Sequence, residues 1–235
     1  MYFPALLDGA LGPLAARLGS RATLDDPRVG RASGLPAIEV QLKKSAEWLS
    51  ELGATYERGQ FTTGIDRDVT EGTLRVKKAD ENVEVPVAVV AERRRSREVE
   101  LRVYYHANLF AKADHVRAPY AVDNPSVALP SLVIDYLAAR KRGDSTGALA
   151  CFEENGVLRD SAGCAYGRAN DTLRAFLEKS EAREWQACGY ADDGRTCALE
   201  YTLVRHGAQD VPPAPGLAVF ERGDSGLFRA IRVYE

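Results

Sequence analysis

The 235-residue chain reads as an α+β protein built from two copies of one domain. Three observations predict this. The first is internal repetition: Arg102-Val103-Tyr104 returns as Arg232-Val233-Tyr234, and upstream of each an apolar run ends in Glu-Arg, at Glu92-Arg93 and at Glu221-Arg222. Leu24-Asp25-Asp26 and Leu158-Arg159-Asp160 also correspond, as do Gly30-Arg31-Ala32 and Gly167-Arg168-Ala169, at closely similar separations. Self-similarity of this kind marks a repeated structural unit. The second observation is the order of patterns within each copy, helical periodicity first and strand alternation after, which is the α+β arrangement. The third is composition. With 45% hydrophobic and 28% charged residues the chain has an ordinary globular balance, which excludes a disordered chain and a collagen. No apolar run approaches the ~18 residues of a membrane span.

The second copy shows each element most clearly. Ser131 to Arg142 predicts a helix with Leu132, Val133, Tyr136 and Leu137 on one face, ended by Gly143-Asp144. Ser145 to Phe152 predicts a short second helix. Asn155-Gly156 reads as a turn before a short strand at Val157-Leu158. Asn170 or Asp171 can cap a third helix through Leu177. Alternating strands follow at Glu184–Tyr190, Thr196–Arg205, Leu217–Glu221 and Leu227–Tyr234.

The first copy repeats the plan with a truncated first helix, Met1 to Ala10, containing Pro4. Its third helix spans Pro36 to Leu52, with Pro36 in the tolerant first turn. Its strands fall near Ala54–Thr62, Gly72–Lys78, Val83–Glu92 and Glu98–Tyr105. Gly30 and Gly167 each open a helix-like segment. An antiparallel sheet curved around a long helix makes a cone with an apolar cavity. The expected lobes are 1–112 and 127–235, with 113–126 in a proline-bearing linker.

Alternation places Leu101, Val103 and Tyr105 on one face of a strand and Arg102, Tyr104 and His106 on the other. Ile231 and Val233 repeat the first face, Arg232 and Tyr234 the second. The aliphatic face lines the helices and cavity; the Arg/Tyr face meets the other lobe. Leu199 and Tyr201 share a face and are expected to line the second cavity, with Phe220 and Ile231.

Charge and metal-ligating residues narrow the function. The net charge of −3 lacks the basic surplus of a nucleic-acid binder. Arg93-Arg94-Arg95-Ser96-Arg97 reads as a solvated hairpin. The histidines and the cysteines Cys151, Cys164, Cys188 and Cys197 show no zinc-binding spacing, so no metal and no cofactor is expected. Met1-Tyr2-Phe3-Pro4 lacks a basic stretch leading into an apolar run, so a cytoplasmic location with reduced thiols is expected. The Asp192-Asp193-Gly194 hairpin signal brings Cys188 and Cys197 towards each other across a strand pair.

Tyr136-Leu137-Ala138-Ala139 with Gly143-Asp144, the run Phe152 to Asp160, and Gly167-Arg168-Ala169 together resemble the nuclear transport factor 2-like superfamily, which includes SnoaL-like polyketide cyclases and ketosteroid isomerase. The resemblance covers nearly all of the second copy and less of the first. It implies sheet-to-sheet pairing, here a pseudo-dimer within one chain; the assembly is then a monomer of this kind or a homodimer. It also implies that Asp160 matches the isomerase general base and Tyr136 its oxyanion-binding tyrosine, with Asp26 the counterpart of Asp160. Ala218 falls where the isomerase carries a second acid, which argues against steroid isomerisation.

The chemistry suits these residue types. A carboxylate at an apolar rim is desolvated and accepts a proton near neutral pH, and a phenol stabilises a developing enolate oxygen. Simpler readings stand beside these: Asp160 caps a turn before Ser161-Ala162-Gly163, Tyr136 is core, and Asp26-Pro27 is a turn signal. The expected activity is a SnoaL-like proton transfer (isomerisation, cyclisation or hydration) on a hydrophobic small molecule in natural-product biosynthesis. The alternatives are a non-catalytic protein holding a lipophilic ligand and a structural partner subunit. Neither nucleic acid nor membrane is an expected partner.

Overall fold

A computed structural model describes residues 2–78, 81–94, 98–106 and 127–235. The chain divides into two compact units, Met1–Val116 and Arg117–Glu235. The expected linker and residues 95–97 of the arginine run lie outside the described residues. Within that run, Arg93 pairs with Asp68 and Arg94 with Glu100.

Lobe one comprises α1 (Tyr2–Leu7), α2 (Leu11–Leu18), β1 (Thr23–Asp26), β2 (Gly30–Ser33), α3 (Leu35–Glu51), β3 (Thr55–Thr63), β4 (Arg67–Lys78), β5 (Glu81–Arg93) and β6 (Val99–Tyr104). Lobe two comprises α4 (Ser131–Arg142), α5 (Ser145–Ala150), β7 (Phe152–Arg159), β8 (Ala165–Gly167), α6 (Thr172–Lys179), β9 (Arg183–Asp192), β10 (Thr196–His206), β11 (Gln209–Arg222) and β12 (Phe228–Tyr234). The sheets run β2-β1-β6-β5-β4-β3 and β8-β7-β12-β11-β10-β9, the same order in both lobes.

The two lobes keep one offset through their first helices and first strand. Tyr2 and Tyr136 stand at the same offset as Asp26 and Asp160. So do Gly9 and Gly143, with φ of 70° and 69°, the left-handed conformation that favours glycine after a helix. The Gly143 N–H bonds back to α4, and Asp144 Oδ1 then caps α5 by accepting the Gly147 N–H at 2.8 Å. Pro4 lies in the first turn of α1, where no intrahelical N–H is required.

Each lobe has its own core. Ile38, Leu42 and Leu49 of α3 pack with Leu74, Val85, Val87, Leu101, Val103 and Tyr105 in lobe one. Val133 and Tyr136 of α4 pack with Phe152, Leu199, Phe220, Phe228, Ile231 and Val233 in lobe two. The expected inward faces of β6 and β12 are thus the core faces. On the opposite face, Arg102 and Arg232 donate to Glu92 at 2.7 Å and Glu221 at 2.9 Å, the same ion pair twice.

Three expectations change. The sheets are mixed: β1 runs parallel to β6, and β7 to β12. Each chain returns after its antiparallel run to lay its last strand beside its first. Second, Gly30 and Gly167 belong to short strands, not helix starts. Gly30, at φ 81°, begins β2, which pairs with β1, and α3 starts only after Gly34. Third, Asn155-Gly156 is no turn but part of β7, where the register against β12 slips between Phe152 and Val157. The four cysteines are free thiols. Cys197 lies opposite Asp192, while the Cys188 sulfur sits 3.4 Å from Thr202 Oγ1, so register keeps the two apart. Among the described residues no helix is long and apolar enough to cross a membrane.

Candidate functional site

The site in lobe two begins where β7 ends. Asp160 follows Arg159 and opens a tight turn: its N–H donates to the Cys164 carbonyl at 3.0 Å, and its Oδ1 accepts the Cys164 N–H at 2.9 Å. Its Oδ2 accepts the Tyr166 hydroxyl at 3.0 Å. Tyr166 stacks on Phe176 of α6, with ring centroids 4.2 Å apart. The carboxylate is therefore aimed by a backbone turn and by a phenol that is itself fixed by stacking. Burial and the bond to Asp160 push the Tyr166 phenol up to about 12.

Asp160 lines a cavity of about 130 Å³ together with Tyr136, Arg140, Phe176, Arg183 and Trp185, closed by Leu158, Ser161, Val233 and Glu235. Helical spacing explains why α4 supplies two of these, since residues four apart share a helix face. Strand alternation explains Arg183 with Trp185, and Val233 with Glu235. Tyr136 is 2% exposed and meets Phe152, Phe220 and Phe228 edge-on, each centroid 5.9 Å away. Its phenol is pushed up to about 12 by burial, against the pull of Arg140 and Arg183. It is accordingly a neutral hydrogen-bond donor at physiological pH.

The cavity carries two cations and two anions. Arg183 lies 3.6 Å from Glu235, whose Oε1 also accepts the Tyr201 hydroxyl at 2.7 Å. Arg140 donates to the Glu181 carbonyl at 3.3 Å, and burial lowers its pKa. A guanidinium freed from water in this way interacts strongly with any negative charge that develops nearby.

Of the residues singled out in the sequence, Asp160 and Tyr136 line this one cavity. Leu199, Tyr201, Phe220 and Ile231 do not. They are fully buried in the core behind the lining, where packing consumes their surfaces. Tyr201 reaches the cavity only through its neighbours, stacked at 4.1 Å on Trp185 and bonded to Glu235.

Asp26 and Tyr105 are in lobe one and form a site of another kind. Asp26 Oδ1 accepts the Tyr105 hydroxyl at 2.8 Å and the Arg28 N–H at 2.9 Å, and Oδ2 accepts the Tyr2 hydroxyl at 3.4 Å. The residue is 4% exposed. A catalytic role for Asp26, and a substrate-binding role for Tyr105, is at odds with this burial: the carboxylate is engaged by Tyr105, Tyr2 and the Arg28 N–H, and Tyr105 is 2% exposed. Arg140, Arg183, Trp185, Glu235 and Tyr166 escaped the sequence reading. The signals that mark them are the four-residue step from Tyr136 to Arg140 and strand alternation through Arg183-Trp185 and Val233-Glu235.

No protein-family model matches the chain, and no curated protein matches it. Solved structures resemble it over about one lobe's length. A protein from Sphaerobacter thermophilus is 20% identical at a TM-score of 0.38, covering 44% of this chain and 93% of its own. An NTF2-like protein of unknown function from Cytophaga hutchinsonii is 13% identical at 0.38, covering 48% and 94%. A protein with a ketosteroid isomerase-like fold from Catenulispora acidiphila, solved with trimethylamine, is 16% identical at 0.39, covering 46% and 87%.

Proposed function

We propose that lobe two is a cofactor-independent enzyme of SnoaL-like type that moves a proton on a small hydrophobic carbonyl compound, with Asp160 as the base. The observation that carries this reading is the placement of Asp160, Tyr136 and Arg140 on one cavity wall set. The Asp160 carboxylate takes a proton from the carbon beside the carbonyl. The electron pair moves onto the carbonyl oxygen as an enolate. The neutral Tyr136 phenol donates to that oxygen, and the Arg140 charge stabilises it. Where a double bond conjugates with the enolate, return of the proton from Asp160 to the far carbon completes an isomerisation; attack by the enolate carbon on a second carbonyl of the same molecule, whose oxygen takes the electron pair of its C=O bond and the proton from Asp160, completes a cyclisation.

The test is hydrogen–deuterium exchange on cyclohexanone, a ketone small enough for the cavity, followed by NMR in heavy water. The protein is expected to accelerate exchange beside the carbonyl, and Asp160→Asn to cut that acceleration by about two orders of magnitude or more while the fold is kept. Equal exchange by the variant and the parent overturns the assignment. One observation favours a second reading, a lipophilic-ligand carrier without chemistry: both Asp160 oxygens already accept hydrogen bonds. On that reading Asp160→Asn leaves ketone binding intact and no exchange is seen with either protein.

A further inference from the structure

Because the lobes keep register, each serves as a reference for the packing of the other. Leu24 pairs with Leu101 in lobe one, and Leu158 with Ile231 in lobe two. On the adjoining strand Ala91 faces Leu101 where Phe220 faces Ile231. On the helix side Leu18 stands where lobe two has Phe152, at the offset that relates Tyr2 to Tyr136. Lobe two fills this corner with Phe152, Phe220 and Phe228, the Phe228 ring lying 5.9 Å from Phe152 and 5.4 Å from Phe220 between centroids. Lobe one has an alanine and a leucine for two of those rings. The corner is left as a cavity of about 300 Å³, bounded by Leu14, Leu18, Val89, Ala91 and Leu101, with Phe61 half exposed beside it.

We propose that this cavity in lobe one is a second small-molecule site, one that holds an apolar anion such as a medium-chain carboxylate and does no chemistry on it. Its walls are aliphatic, and its polar lining consists of Arg17, Asp68, Arg93, Thr70 and the Tyr2 ring edge. Arg93 is matched by Asp68 at 2.5 Å, which leaves the exposed Arg17 as the surplus charge of the charged lining residues. A ligand with a hydrocarbon body and one negative end satisfies both features. Asp26, the counterpart of Asp160, does not line this cavity, so the ligand meets no poised base there. The open space of lobe one thus lies away from its acid.

The test is calorimetric titration of the full chain with decanoate. Binding is expected to weaken at least tenfold in Ala91→Phe, which installs the side chain lobe two already carries at that place, and severalfold in Arg17→Gln. Leu18→Phe fills the same space from the helix side and must give the same loss, with circular dichroism reporting that each variant is folded. In a Trp48→Phe background, Trp185 emission reports on the lobe-two cavity and is expected to stay constant through the titration. Absence of decanoate binding by the parent overturns the proposal. So does unchanged affinity in folded Ala91→Phe and Leu18→Phe, or a Trp185 response that tracks the binding heat.

Discussion

Asp26 and Asp160 occupy one position of the repeat under opposite conditions. In lobe one, three donors enclose the carboxylate; in lobe two, a turn and one tyrosine hold it at a cavity. Replacing Asp26 therefore tests stability. Asp26→Ala removes the carboxylate that accepts from two buried phenols and is expected to cost about 1–3 kcal/mol, read as a lower denaturation midpoint by Trp48 emission in a Trp185→Phe background. Cyclohexanone exchange should persist in Asp26→Ala itself. Tyr136→Phe should do the reverse, keeping the fold and slowing exchange by up to about 3 kcal/mol in barrier, the usual worth of one oxyanion donor. The residues of the site were only partly legible in the sequence. Asp160 and Tyr136 stand out because a turn and an apolar helix face are local patterns. Arg140, Arg183 and Glu235 are charged residues near element ends, which read as solvated until the fold turns them inward. The closing of Asp26 depends on Tyr2 and Tyr105, far apart in sequence, and no local pattern announces it.

At the scale of elements, helices and the antiparallel strands follow from periodicity, and their observed limits differ from the expected ones by a few residues at most places. Larger differences occur at β2, β7 and β8, and at the starts of β4 and β11, which begin at Arg67 and Gln209. β2 and β8 are short and glycine-punctuated, and nothing in a three- or four-residue run separates a strand from a helix start. β7 hides a break that Gly156 makes possible. A Cβ there would lie 2.9 Å from the Glu153 carbonyl oxygen, the Phe152 Cβ and the Phe228 carbonyl oxygen, closer than such atoms pack. Gly156→Ala must push β7 away from β12, and the expected loss is about 1–3 kcal/mol in thermal or urea unfolding. Since β7 leads into Asp160, the same variant should slow exchange on cyclohexanone; full stability and full activity together would refute this account of the break.

For the whole molecule, buried ionisable groups set the pH limits of stability. Burial, with the nearby Asp26 charge, raises the Tyr2 and Tyr105 phenols well above their ordinary value of 10.0, and burial raises Tyr136 to about 12. Below pH 10 folded and unfolded chains are both protonated at these three phenols and their full contribution is present. As pH climbs from 10 towards 12 the unfolded chain alone releases protons, and stability falls. Glu92 acts at the other limit. Burial pushes its pKa up, but Arg102 and Arg67 outweigh this and hold it below the ordinary 4.5. Its contribution is present above that value and is lost as pH drops through the folded value. Burial also pushes the Cys197 thiol up from its ordinary 9.0 to about 12, so urea midpoints measured across pH should form a plateau from about pH 5 to 9 with a fall on each side. Phenolate absorbance should show these three tyrosines ionising late, near or beyond the alkaline unfolding step.

The parallel pairing of β1 with β6 and of β7 with β12 has a consequence for how the protein is made. On a ribosome, Leu24 emerges nearly a whole lobe ahead of Leu101, its partner, and Leu158 likewise precedes Ile231. Until the last strand of a lobe is synthesised, the inner edge of its first strand has no native neighbour. Hairpins β3-β4 and β9-β10 can form meanwhile, but the sheet cannot close. Such long-range closure is slow and leaves strand edges open to wrong partners. A nascent chain halted after β5 should therefore be captured by chaperones that recognise exposed strands, and one extended past β6 should be released from them.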